Sequence, residues 1–188
     1  MSMTPQCNKV IHLVKTRLVQ LRSIKRRSDK HTALLVYKSM ILPIMEYSAI
    51  LIGSGPVWAT RKLETLQNDC LRVCEGIRDP RDIHVEQLHT QNGVVMLEER
   101  RHRQLLGMMY SLSRDPESVI VPARELRGGT KIKLKLSRPH KDIYYKSPLY
   151  RGTQLWDRLD GVKQHSTNRE NFLKSLTKHD LRPIEPRQ

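Results

Sequence analysis

The chain has few aromatic residues, one Phe, two Trp and six Tyr among 188 residues. That leaves little for base stacking as the main way of holding a single strand. It has three cysteines, Cys7, Cys70 and Cys74, too few for a disulfide-stapled secreted scaffold. Its N-terminus lacks the apolar run and small-residue cleavage site of a secretory signal, so the protein is expected to be nuclear or cytoplasmic and not secreted. The same stretch carries several basic residues and no acid before Asp29, a composition shared by mitochondrial transit peptides and by basic structural helices. No P-loop, dinucleotide fingerprint, HExxH or G-x-S-x-G pattern is present. No two aspartates are adjacent anywhere.

Uninterrupted apolar runs are also lacking. The longest apolar stretch, ALLVYKSMILPIMEYSAILIG over residues 33–53, is long enough for a bilayer but holds Lys38, Pro43 and Glu46. A central charge costs about 2.5–3.5 kcal/mol on insertion scales. Lys38 and Glu46 are too far apart in sequence to pair along one helix. Pro43 interrupts the hydrogen-bond ladder of a straight span. A kinked helix buried within a helical protein accounts for all three residues, and no membrane is expected.

What the chain has in excess is positive charge, +15 formally. Such a balance favours polyanionic partners, with a merely solvated basic surface as the plain reading of the same fact. Residues 1–30 hold eight basic residues and one acid, and residues 117–188 hold sixteen and eight. The stretches between are balanced, four of each over 31–75 and six of each over 76–116. Two basic ends thus flank a neutral, apolar middle.

Periodicity predicts a mainly α protein. Pro5 suits a first helical turn, after which Val10, Ile11, Val14, Leu18 and Leu21 share one face and Lys15, Arg22 and Arg26 line up beside it. Ser28 or Asp29 caps a second helix over Ala33 to Leu42, which Pro43 kinks into a continuation from Ile44 to Ile52. After Gly53–Pro56, Thr60 is placed to cap a helix with Leu63, Leu66, Cys70, Val73 and Cys74 as its apolar stripe, ending at Gly76. A short helix over Ile83 to Leu88 closes near Asn92–Gly93. From Leu97 another helix packs Leu105, Met108, Met109 and Leu112, with Arg100, Arg101 and Arg103 lying largely off that stripe. Beyond Asp115–Pro116 the alternation from Lys131 to Leu136 reads as a half-exposed strand. A helix near Trp156 and a capping-box spacing at Thr167 and Glu170 follow. The expected architecture is a helical bundle over 1–113, then a basic, turn-rich extension over 114–188 with one short strand or hairpin and two short helices. Its tail, 181–188, is expected to be loose.

Cys70, Cys74, His84 and His89 form a C-x3-C-x9-H-x4-H pattern of soft ligands that would suit tetrahedral zinc. The spacing between the pairs is shorter than in common fingers. The cysteines also sit on an apolar helical stripe, where two small buried hydrophobes are the alternative.

The segment YKSMILPIMEY from Tyr37 to Tyr47, followed by LETLQNDCLRVCEG from Leu63 to Gly76, resembles the end of non-LTR (LINE-type) retrotransposon reverse transcriptases. In that family a Tyr, an apolar run, a Pro and Glu-Tyr precede a leucine-rich Gln-Asn helix. Here those positions are Tyr37, Pro43, Glu46, Tyr47, Leu63, Leu66, Gln67, Asn68, Leu71 and Arg72. VVMLEERRHRQLLGMMYSLS, with Arg100-Arg101, and KSPLYRGTQLWDRL from Lys146 continue the series in order, so the resemblance covers residues 8 to 177. Asp157 and Asp160 stand where the family often has Asn and Pro.

The resemblance implies a thumb-like helical region and the part after it, without palm or endonuclease. The family's paired aspartates hold two magnesium ions in the palm. None are here, so no cofactor is expected and the chain alone should be catalytically inert. Lys15, Arg22, Arg26 and Arg27 would contact phosphates of RNA, DNA or an RNA–DNA duplex, with Lys131, Lys133 and Lys135 as a second contact. The alternative is a helical protein-interaction or relic fragment without a nucleic-acid role, self-associating through exposed apolar surface.

Overall fold

A computed structural model describes residues 4–47, 49–115, 117, 121–123, 132–135 and 147–182. The architecture is mainly helical, as expected, and its contacts divide it into two compact units, Met1–Arg100 and Arg101–Gln188. The division falls inside a helix, at 100/101, whereas the sequence puts the change from helical bundle to basic extension at 113/114.

In the first unit, α1 (Thr4–Lys25) buries Cys7, Val10, Ile11, Val14, Leu18 and Leu21 along one stripe. Asp29 is the residue that caps α2 (Lys30–Val36), its side chain accepting from the Thr32 N–H at 3.0 Å, while the Ser28 hydroxyl turns back to Ile24 O. The chain then widens into a π turn, Tyr37–Ile41, before α3 (Leu42–Glu46), whose first turn contains Pro43. Here proline sits where a helix begins and its missing N–H costs least.

After α4 (Ala49–Gly53), α5 (Val57–Glu75) buries Ala59, Leu63, Leu66, Gln67, Cys70, Leu71 and Cys74. It starts directly after Pro56, so Thr60 is not its cap. The Thr60 hydroxyl lies inside the first turn and donates to Val57 O at 2.9 Å. At its other end Gly76 adopts φ 80° and its N–H reaches Arg72 O and Val73 O, a left-handed stop that glycine tolerates without a Cβ clash. A 3-10 turn, Pro80–Asp82, leads to α6 (Val85–Asn92), closed by Gly93 at φ 57°. This helix starts later than the expected Ile83, because Ile83 and His84 are extended. The stripes of α1, α2 and α5 interlock with Tyr37, Ile41, Met45, Leu88, Val94 and Leu97 in one core.

The two charges inside the apolar stretch do not meet each other. Lys38 Nζ donates to Asn92 O at 3.2 Å, and Glu46 pairs with Arg100. No helix among the described residues is long and apolar enough to cross a membrane.

The second unit contains most of α7 (Leu97–Leu112), an antiparallel pair β1 (Val121–Ala123) and β2 (Lys133–Lys135), and three short helices, α8 (Pro148–Trp156), α9 (Gly161–Gln164) and α10 (Arg169–Ser175). In the strands Val121 pairs with Lys135 and Ala123 with Lys133. Trp156 and Phe172 are fully buried, with ring centroids 5.7 Å apart, and Tyr110 stacks on Phe172 at 4.7 Å. The Trp156 indole N–H donates to Ile132 O at 2.8 Å. Gln164, also fully buried, accepts from Ile132 N at 2.7 Å and donates to Trp156 O at 2.9 Å, so one amide ties the strand segment to the helix.

Three readings are corrected in this unit. Arg101 is buried, not off the packed stripe, and Arg103 is half-buried with Nη1 on Leu173 O at 2.9 Å. A guanidinium can lay its stem along apolar surface and still reach carbonyls with its donors. Asn168, not Thr167, caps α10, accepting from Asn171 N at 2.8 Å. Leu181, at the start of the expected loose tail, is buried and its carbonyl lies 2.8 Å from His102 Nδ1. The rest of the tail, 183–188, lies outside the described residues.

Candidate nucleic-acid interface

The cationic stripe of α1 follows from its helical period. Lys15, Arg22 and Arg26, seven and four residues apart, fall within about 40° of one another around the axis. They lie beside the buried stripe that holds the helix to α5. All three are exposed, as is Arg27. Arg26 and Arg27 stand in the turn that follows α1, the Arg26 N–H still bonding back to Arg22 O at 3.3 Å. Spread over eleven residues, the stripe spans about 16 Å of helix. Neighbouring cations are committed elsewhere. Lys30 Nζ lies 2.7 Å from Glu75, Arg72 pairs with Asp69 at 3.2 Å, and Arg17 donates to Gln20 at 2.8 Å. Among the described residues, no carboxylate lies within salt-bridge reach of Lys15, Arg22, Arg26 or Arg27. The end of the helix that carries Arg22 and Lys25 is also the negative end of its dipole, which favours cations there.

The second expected cluster belongs to the other unit. Lys133 and Lys135 have their backbones in β2, on either side of the buried Leu134, while Lys131 lies outside the described residues. The two clusters therefore stand as separate features of separate units.

The zinc pattern does not assemble. Cys70 and Cys74 are fully buried on the packed face of α5. Burial pushes the Cys70 thiol up to about 12 and the Cys74 thiol to about 11. His84 is exposed at the start of α6. The buried His89 points both ring nitrogens at other partners, Nδ1 at Val94 O (3.0 Å) and Nε2 at Asn68 Oδ1 (2.8 Å). Among the described residues no group of three or more His, Cys, Asp or Glu is gathered as a metal site.

Periodicity missed what Gln67 and Asn68 do. Gln67 Nε2 donates to the Tyr37 hydroxyl at 3.2 Å and to Val95 O at 3.1 Å, and its Oε1 accepts from Leu97 N at 3.1 Å. Next to it Asn68 holds His89. Together the two amides fasten the 89–97 segment to α5. The available signal was Gln67's position, four residues from both Leu63 and Leu71, which puts a polar side chain on the apolar stripe.

Compared with family models, curated proteins and solved structures, the chain matches none.

Proposed function

We propose that the protein is a nucleic-acid-binding helical module of the kind its resemblance to LINE-type reverse transcriptases implies, a thumb-like piece without polymerase chemistry of its own. The observation that carries this reading is the exposed Lys15–Arg22–Arg26 stripe, held against the core by the neighbouring buried face of α1 and without a carboxylate partner among the described residues. A rigid row of cations contacts phosphates without reading bases, so affinity would be indifferent to sequence and steep in salt. RNA–DNA hybrid, RNA and DNA are the partners in question.

Fluorescence anisotropy with a short RNA–DNA hybrid between about 50 and 200 mM salt tests it. Each phosphate contact contributes about 0.9 to the slope of log affinity against log salt. Arg22→Ala with Arg26→Ala should therefore flatten the slope by about 2. Absence of binding at low salt would overturn the reading.

The second reading, a protein-interaction fragment, has its own support in exposed apolar side chains. Leu35, Met40, Tyr47 and Leu51 are all at least 48% exposed within one stretch. Concentration-dependent self-association that is insensitive to salt would favour it.

A further inference from the structure

Only three aromatic residues lie in 1–100, Tyr37, Tyr47 and Trp58. Tyr37 is in the core, yet Tyr47 is 88% exposed and Trp58 46%. An exposed tryptophan is a large apolar area left in water, and its surroundings decide what would cover it. On α5, Arg61 and Lys62 stand three and four residues beyond Trp58, on the same face and about one helical turn away. Both are exposed, and so is Thr65 one turn further on. The buried residues of α5, among them Leu63, Leu66 and Cys70, lie on the opposite side. The first turn of this helix contains no acid, and among the described residues no carboxylate is within salt-bridge reach of Arg61 or Lys62. The next acid along this face, Asp69, is taken by Arg72.

We propose that this face, Trp58 with Arg61 and Lys62, holds a single-stranded stretch of nucleic acid, the indole stacking on a base and the two cations contacting the flanking phosphates. Charge favours a polyanion over a protein partner. Trp and Arg are common at protein interfaces but Lys is depleted there, and here two adjacent cations stand with no carboxylate in reach among the described residues. A π-face beside positive charge is the combination that binds single strands without regard to sequence. The assignment rests on the nucleic-acid reading above but uses a different helix and a different form of the ligand. Duplex contacts belong to α1 and single-strand contacts to α5.

The two tryptophans make the test direct. Trp58 is exposed and Trp156 fully buried, so their emissions separate, with Trp156 as an internal reference for a folded second unit. Intact protein is titrated with an oligothymidylate of about 16 nucleotides, in parallel with anisotropy on a hybrid duplex. Saturable quenching of the red-shifted emission is expected. Trp58→Ala should weaken oligothymidylate binding about tenfold or more and leave duplex affinity unchanged. Arg61→Ala with Lys62→Ala should weaken it too, and more at low salt. The helical circular dichroism of each variant, whose changed residues are exposed, should match that of the parent protein.

Oligothymidylate binding that Trp58→Ala does not weaken, or duplex binding without single-strand binding, would overturn this assignment alone. Loss of Trp58 exposure with rising protein concentration, without oligonucleotide, would overturn it in favour of a second copy on this face. Quenching without duplex binding would keep it and remove the duplex reading. Binding of neither would remove both.

Discussion

Gln67 Nε2 lies 3.2 Å from the Tyr37 hydroxyl in a part of the core where both residues are fully buried. That bond sits at the junction of three segments, since the same amide also serves Val95 O and Leu97 N. Leu97 is buried, so without Gln67 its N–H would lose its partner inside the core, whereas Val95 is exposed. Burial also pushes the Tyr37 phenol well above its ordinary range, so it stays protonated.

Gln67→Leu is close in volume but removes all three bonds. A buried polar group left unsatisfied costs about 1–3 kcal/mol, so the variant should lose at least about 2 kcal/mol. Urea unfolding followed by helical circular dichroism measures it. A loss below about 0.5 kcal/mol would show that the amide's bonds are dispensable.

His89 gives the first unit a pH dependence. Burial lowers its pKa below the ordinary 6.5, against the Val94 carbonyl and the Glu99 charge, which raise it. Above pH 6.5 the ring is neutral in both folded and unfolded chains and carries no penalty. Below that, the unfolded chain takes up a proton that the folded state resists, so stability falls as pH drops towards the lowered value. Unfolding free energy at pH 7.5 and pH 5.5 should differ more in the parent protein than in His89→Gln.

In the second unit, Asp180 is nearly buried, and burial alone would raise its pKa. Lys163 Nζ at 2.6 Å, the Thr177 N–H at 2.7 Å and the Thr177 hydroxyl at 2.8 Å outweigh that and hold it below 3.8. Its contribution is therefore present above the ordinary carboxylate range and lost as pH falls through the lowered value. Lys163→Met should cost about 2–4 kcal/mol at neutral pH. It should also move the onset of acid unfolding upward, because burial then acts with one fewer opposing charge. Trp156 emission during acid titration reads both effects.

Gly152 marks a close approach of α8 to α7. A Cβ there would stand 2.5 Å from Met109 Sδ and 2.7 Å from its Cγ, inside a buried site. Gly152→Ala should lose about 1–3 kcal/mol by overpacking, despite the better helix propensity of alanine. Urea unfolding followed by Trp156 emission in a Trp58→Phe background reports on this unit alone. A gain in stability would mean that Met109 moves aside without cost.

What could be read from the residues was the part governed by local period and by backbone chemistry. The stripes of α1 and α5, the cap at Asp29 and the left-handed stops at Gly76 and Gly93 each depend on a few neighbouring positions. The cap of α10 was misplaced by one residue because Thr167 and Asn168 are both capable acceptors, and only backbone geometry chooses. Arg101 and Leu181 were misjudged because their burial is set by segments distant in sequence. For the interface, the row Lys15, Arg22 and Arg26 was legible, since a helical period fixes it. The bonding of Gln67 was not, and neither was the exposure of Trp58, which depends on how much of α5 its neighbours cover. Single residues carry no record of that.

The π turn has a consequence for the spacing of the core. Ala33, Tyr37, Ile41, Met45 and Ala49 are all buried, and they recur every fourth residue. In an unbroken α-helix that interval drifts by about 40° at each step, enough to carry the last of them to the far side from the first. The wider turn over Tyr37–Ile41 and the fresh start at Pro43 absorb the drift, keeping a four-residue beat in phase with the interior. Deleting a single residue between 37 and 41 would turn those intervals into four, three, four and four, which a regular α-helix holds within about 80° of one another, so the apolar side chains downstream would keep facing the interior with no π turn at all.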